Sequence, residues 1–234
     1  MHYQARPGAR ELKFLLTPEL ASSIKEWARL NLQPDPHAGG SHLDSYRVTS
    51  LYYDTPEFDV FHQRGSYGRA KYRARRYDRA DSVFVERKLK TRDYVTKRRS
   101  LVSLTDLAQL GSGRAEWGSA GFWFERRLAA RRLQPVCAIS YLRMARVAES
   151  GSGLIRLTID EDLRALPAVT GQSALDDVAT GFDIAPGRRI LEMKYRGALP
   201  GLFKDLLDRF LLERASISKY RTAACALGLA NLHE

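Results

Sequence analysis

Residues 69–90 read RAKYRARRYDRADSVFVERKLK: two alternating runs, 69–77 and 82–90, around a short polar turn. In a β-strand, residues i, i+2 and i+4 share one face. The first run therefore puts Lys71, Arg73 and Arg75 on one side and Tyr72, Ala74 and Arg76 on the other. The second sets Glu86, Lys88 and Lys90 against Val83, Val85, Arg87 and Leu89. A turn this short joins antiparallel neighbours. The expectation is a hairpin with one face densely charged and the other mostly apolar.

The same alternation recurs outward in both directions, over 9–16, 46–54, 95–102, 136–147, 154–162 and 188–195, which makes eight strands. Helices are fewer. Thr17-Pro18 is a cap followed by a proline at the first helical position and opens 18–31. Helical spacing of apolar residues marks 120–133 and 199–213, with a short terminal helix near 221–231. The loops 33–46, 111–119, 149–153 and 181–188 are short, and no repeat has a fixed period. The chain is expected to form one domain over 1–234, of class α+β: an eight-stranded antiparallel tunnel or barrel with peripheral helices.

Composition narrows the function. The 234 residues are 44% hydrophobic and 28% charged, which excludes a disordered tail or a low-complexity array. Two cysteines are too few for a disulfide framework or a zinc cluster. The N-terminus has no signal-peptide core, and the longest weakly polar run, 222–232, is too short to span a bilayer. A soluble, cytoplasmic protein is expected. The net charge is +11, and residues 64–99 hold 14 Lys or Arg against 4 acids, nearly the whole imbalance. Such a concentration points to a polyanionic partner.

Parity sharpens that inference. Besides the hairpin, Glu11 and Lys13 oppose Leu12 and Phe14, Arg156, Thr158 and Asp160 oppose Ile155, Leu157 and Ile159, and Glu192 and Lys194 oppose Leu191, Met193 and Tyr195. A single charged row is as well read as a solvated outer face. Repetition over five strands points instead to charged faces gathered into a cationic interior, with the apolar faces outward under the helices. Glu11 and Glu192 repeatedly share a face with lysines, so both are candidate ligands for a divalent cation such as Mg²⁺ or Mn²⁺. None of the five histidines lies in a charged strand, and none is nominated as catalytic.

Eight segments in order resemble the catalytic domain of the VTC (vacuolar transporter chaperone) family. They are Glu11–Phe14, Ser50–Pro56, Lys71–Tyr77, Phe84–Lys88, Tyr141–Ala145, Arg156–Asp160, Leu191–Tyr195 and Ser216–Tyr220. That family is the polyphosphate polymerase branch of the triphosphate tunnel metalloenzymes (CYTH-like). The resemblance implies a metal-dependent transfer of phosphoryl groups from ATP to a growing inorganic polyphosphate chain. It implies Lys13, Arg73, Arg75, Lys88, Arg143, Arg156 and Lys219 as catalytic phosphate-binding groups and Glu192, with Glu11, as metal ligand. Lys71, Lys90, Arg98 and Lys194 are further substrate-binding candidates. The wider superfamily opens with Glu-x-Glu-x-Lys; here positions 9, 11 and 13 are Ala, Glu and Lys, which is closer to the VTC branch than to the triphosphatases.

Two other readings stand beside this one: an inorganic triphosphatase, and a module that binds polyphosphate or nucleic acid without catalysis. Tyr72, Tyr77, Phe84 and Tyr94, interleaved with charge, are the features a stacking platform for single strands would use. ATP and polyphosphate are the expected partners, with nucleic acid disfavoured, and moving a product across a membrane would need a separate partner. Oligomeric state is not legible from sequence.

Overall fold

The computed structural model describes residues 10–36, 44–90, 95–110, 117–168, 175–176 and 178–231. In chain order the elements are β1 (Arg10–Leu16), α1 (Pro18–Asn31), β2 (Gln33–Pro34), β3 (Ser45–Asp54), α2 (Asp59–His62), β4 (Ala70–Tyr77), β5 (Ser82–Lys90), β6 (Val95–Ser103), α3 (Leu104–Gln109), α4 (Phe122–Ala130), β7 (Gln134–Ser150), β8 (Gly153–Pro167), β9 (Phe182–Asp183), β10 (Arg189–Tyr195), α5 (Gly201–Phe210) and α6 (Lys219–Ala226). The class is α+β, as expected.

All pairings are antiparallel, in the order β1-β10-β8-β7-β3-β4-β5-β6, with β2 added to β7 and β9 to β8. The eight strands of this path are the eight read from alternation. The sheet differs from a closed barrel in one respect: among the described residues no ladder joins β1 to β6. It is nonetheless rolled. Lys88 Nζ on β5 lies 3.1 Å from Glu11 Oε2 on β1, six places away in the order. In a flat sheet six strand spacings would hold them ~29 Å apart. The chain at 214–217 lies along the outer edge of β1, with Ala215 N donating to Lys13 O at 2.8 Å, and leads directly into α6.

The convex side of the sheet is apolar, and helices cover it. Leu12, Phe14 and Leu16 of β1, Leu191 and Met193 of β10 and Leu157 and Ile159 of β8 pack on Ile24 and Trp27 of α1 and Phe203 and Leu206 of α5. Fully burying each such side chain contributes about 1.5–3 kcal/mol. A second cluster sets Leu51, Tyr72, Ala74, Val83 and Val85 against Phe124 and Leu128 of α4. The helix ends follow local rules: Thr17 Oγ1 accepts from Leu20 N at 3.3 Å with Pro18 following, and Ser103 and Asp106 form a reciprocal capping box at α3. No described helix is long and apolar enough to cross a membrane.

The β7–β8 hairpin is longer than its alternation suggested, running through 134–167, because Gly153 at φ +102° sits beside a tight turn that lets both strands continue to it. A register shift between Ser140 and Leu142 interrupts the period within it. The two-residue strands β2 and β9 and the short helices α2 and α3 carry too few residues to show a period, and no sequence pattern announced them.

Candidate active site

The concave face gathers the charged rows. Its cavity is lined by Glu11 and Lys13 from β1, Lys71, Arg73 and Arg75 from β4, Lys88 from β5, Arg143 from β7, Glu192 and Lys194 from β10, and Lys219 from α6, together with Tyr52, Tyr141, Ser218 and Tyr220. Eight cations thus face two carboxylates in one hollow. An arrangement with such an excess of one charge, partly withdrawn from water, is stable only when counter-charges complete it.

The deepest cations are held by the protein itself. Arg143 forms a two-pronged bond to Asp160, Nε–Oδ1 at 2.6 Å and Nη2–Oδ2 at 2.7 Å. The same Asp160, wholly buried, takes Lys219 Nζ at 2.6 Å. Arg73 donates from Nε to Glu86 Oε2 at 2.7 Å and points Nη1 at the Tyr52 hydroxyl, 3.5 Å away. Arg75 has hydroxyl partners instead, Ser50 Oγ and Tyr141 Oη, each at 3.1 Å. Burial opposes charge on Lys219, but Asp160 and Glu192 overcome it and raise its pKa.

Helix α6 delivers Lys219 by a separate anchor. Ser218 caps the helix, accepting from Arg221 N at 3.4 Å, so Lys219 is its first residue. Tyr220 donates its hydroxyl proton to Asp54 Oδ2 at 2.6 Å and stacks on Tyr52 with ring centroids 5.4 Å apart. Asp54 is itself fixed by the backbone N–H groups of Thr55, Val60 and Phe61. Lys219 is therefore no surface lysine.

Nearer the mouth the lysines are less fully answered. Lys13 Nζ lies 3.1 Å from Glu11 Oε1 and 3.3 Å from Glu192 Oε1. Lys194 reaches Glu192 only at 3.5 Å and Glu11 at 4.0 Å, and Lys71 donates to the neutral Ser218 Oγ at 2.9 Å. Burial, reinforced by Lys13, Lys88 and Arg73 against Tyr52, brings Lys71 down to about 8. Burial brings Lys194 to about 8 as well, despite Glu192 and Glu11. Burial and Glu192 push the Glu11 carboxyl up, but Lys194, Lys13 and Lys88 outweigh them and hold it at about 2. Burial likewise opposes the Glu192 carboxylate, and Lys219, Lys13 and Lys194 keep it well below the usual range.

The two carboxylates fit a divalent cation to this extent: an oxygen of each already converges on one positive centre, Lys13 Nζ. Magnesium-type ions are commonly held by one or two carboxylates with the remaining positions left to phosphate oxygens and water. No group of three or more Asp, Glu, His or Cys side chains among the described residues forms a ready-made cage.

Three nominated cations lie outside the cavity. Arg98 is exposed on the outer face, with its guanidinium 4.4 Å from the Trp123 ring centroid. The reason is register: Arg98 pairs with Arg87, which shares the outward face of β5 with Val83 and Val85. Its neighbour Lys97 is the inward residue and ion-pairs with Glu86. Lys90 has the right parity but stands exposed at the end of β5. Arg156 is on the concave face, but its Nε lies 2.7 Å from Asp35 Oδ2 and its Nη2 donates to Tyr46 Oη at 2.7 Å, away from the lining.

Asp160, Glu86, Lys97, Tyr141 and Ser218 were not nominated. Parity could have found Asp160 and Glu86, which share faces with the nominated Arg156 and Lys88; Lys97 lies in the basic run 97–99, where there is no alternation to read. Nothing in the alternation marks Ser218, which acts as a helix cap. Among the described residues the interleaved aromatics form no stacking platform: Tyr72 is buried against Phe124, and Tyr77 packs edge-on to Tyr46 and Phe84; Tyr94 lies outside the described residues. His62 packs on Phe61, and the other four histidines lie outside the described residues.

The family model of the VTC domain matches residues 8–228. Among solved structures the chain is similar to a candidate adenylate cyclase from Bacillus halodurans, at 13% identity and a TM-score of 0.54, with 90% of this chain and 95% of that one covered. It is similar also to a candidate adenylyl cyclase from Hippeastrum described as revealing a dominant triphosphatase activity, at 14% identity and a TM-score of 0.53, with 92% and 95% covered. At these identities the likeness is one of fold. A comparison with curated proteins gives no match.

Proposed function

The chain belongs to the VTC domain family, and on that premise we propose that it transfers the terminal phosphoryl group of ATP to a growing inorganic polyphosphate chain within the concave cavity. The observation that carries this reading is the convergence of eight cations from six elements on one hollow with only two carboxylates in its lining. Phosphoryl transfer asks a protein chiefly to position its reactants and to neutralise developing charge. Arg73, Arg75 and Arg143 are already fixed by their own hydrogen bonds, so they need little reorganisation to meet equatorial phosphoryl oxygens. Lys13, Lys71, Lys88 and Lys194 would bind the flanking phosphates. Glu192 and Glu11 would hold a divalent ion, Mn²⁺ or Mg²⁺, which supplies charge neutralisation on the triphosphate.

The acceptor oxygen of a phosphate chain is already anionic and needs no base. Water would need one: Glu11, at about 2, and Glu192, held low by its lysines, are weak bases, so in the lining Lys71 and Lys194, at about 8, are the groups able to take its proton. Incubation with ATP and Mn²⁺ or Mg²⁺ is expected to give ADP and long polyphosphate, and Lys88→Ala or Glu192→Ala to abolish both. Orthophosphate released from tripolyphosphate without chain growth would establish a triphosphatase instead.

A further inference from the structure

The cavity lining carries four hydroxyl groups, on Tyr52, Tyr141, Ser218 and Tyr220. Tyr52 and Tyr141 each receive a guanidinium N–H, from Arg73 at 3.5 Å and Arg75 at 3.1 Å, and a guanidinium does not become a base. Tyr220 donates its proton to Asp54 at 2.6 Å, and burial with Asp54 pushes its pKa up, so it stays a phenol. Ser218 differs. Its half-buried Oγ accepts from Lys71 Nζ at 2.9 Å and, over a long 3.4 Å, from Arg221 N. Among the described residues no group takes the Ser218 proton.

Lys71 is suited to take it. The other lysines of the lining are paired with carboxylates, Lys13 and Lys88 with Glu11, Lys194 with Glu192 and Lys219 with Asp160. Among the described residues Lys71 pairs with no carboxylate, and its partner is the Ser218 hydroxyl. Burial brings it to about 8, so about a tenth of it is neutral amine at about pH 7. In that form the same short contact runs the other way, from hydroxyl to Nζ. A serine hydroxyl beside a neutral lysine is an activated nucleophile. The site also suits the product: a phosphate on Ser218 would stand at the N-terminus of α6, beside Lys71, in a lining that is short of negative charge. Transfer to a phosphate chain needs no base and gives this pair no task.

We propose that Ser218, with Lys71 as its base, accepts the terminal phosphoryl group of ATP when no phosphate chain is present to take it. A bond forms from Ser218 Oγ to the γ-phosphorus, and the bond from that phosphorus to the β–γ bridging oxygen breaks. ADP leaves with the electron pair, and the hydroxyl proton passes to Lys71 Nζ. The step rests on the function proposed above, because ATP must first bind in the cavity. The test incubates the whole chain with ATP and Mn²⁺, without added polyphosphate, and follows ADP release and peptide mass. One HPO₃ unit on Ser218, stable in acid as a phosphoserine is, is the expected result. Ser218→Asn keeps a capping side chain and is expected to abolish it. Lys71→Arg keeps the charge but holds its proton, and is expected to slow it ~100-fold, with tripolyphosphate binding as the control for an intact cavity. If ADP and polyphosphate form while Ser218 stays unmodified, the serine step is wrong and the cavity reading survives. Phosphate on another residue instead, or labelling of Lys71→Arg at the wild-type rate, would also overturn the Ser218–Lys71 pair. If ATP neither binds nor yields ADP, the cavity reading falls and this step with it.

Discussion

Four cations at the bottom of the cavity and four nearer its mouth carry the same charge under different terms. Arg73, Arg75, Arg143 and Lys219 each have short bonds to the protein, and Asp160 alone fixes two of them. Lys13, Lys71, Lys88 and Lys194 share two carboxylates, a serine hydroxyl and the Ile217 carbonyl among them, at 2.9–4.0 Å. The deep group is permanently charged and pre-set, which suits charge that develops during reaction. The outer group is under-neutralised, and two of its members titrate near 8, which suits ground-state binding of phosphates that complete the set. On the proposed function, the deep group would set the chemistry and the outer group the affinity.

The sharpest way to break that division is Asp160→Asn. It removes the two-pronged partner of Arg143 and leaves Lys219 with Glu192 alone, at 3.1 Å, and breaking a buried pair costs about 3–5 kcal/mol. A urea unfolding curve is expected to show that loss. Next, Arg75→Lys keeps the charge but cannot span Ser50 and Tyr141 together. Turnover is expected to fall ~10–100-fold with KM little changed, because the fork acts on the reacting group. The same exchange in the outer group, Lys88→Arg, is expected to move KM and spare kcat.

Acid tests both regions through stability. Glu11 and Glu86 ordinarily titrate at 4.5 and here sit at about 2. Their contribution is complete above about pH 4.5 and is lost as pH falls toward 2, on the order of 2 kcal/mol each. Base tests the outer region alone. Lys71 and Lys194 ordinarily titrate near 10.5 and here near 8. Between those values the unfolded chain holds protons the fold has released, so the free protein gains stability across that interval. Anion affinity runs the other way: phosphate binds the ammonium form, so tripolyphosphate is expected to bind about 3-fold or more weakly at about pH 9 than at about pH 7, and Lys71→Met with Lys194→Met flattens the profile. The smallest effect is expected outside the cavity. Arg98→Ala gives up a cation–π contact with Trp123, about 0.5–1 kcal/mol by thermal melting, and leaves turnover unchanged.

The eight principal strands were legible because each is long enough to show a period of two, and one face of most is apolar. Lys13, Arg73, Lys88 and Glu192 then follow from parity together with the family resemblance. Parity assigns a face but not a height along the strand, which is why Arg156 and Lys90 share the charged face yet lie beyond the cavity. Arg98 was misplaced because three consecutive basic residues, 97–99, show no alternation to read. Its partner Arg87 is the odd charge on an apolar face, and only the ladder joins the two. Asp160 needs a third dimension: its importance lies in meeting Lys219, 59 positions later in sequence, through a helix held by Asp54 and Tyr220.

The measurement that bears most directly on the cavity is a crystal structure of the chain with a non-hydrolysable ATP analogue and Mn²⁺. Phosphoryl oxygens in contact with Arg73, Arg75, Lys88 and Lys219 are the predicted result. An analogue seated on the outer basic surface by Arg98 and α4, with the ion pairs of the hollow undisturbed, would contradict it.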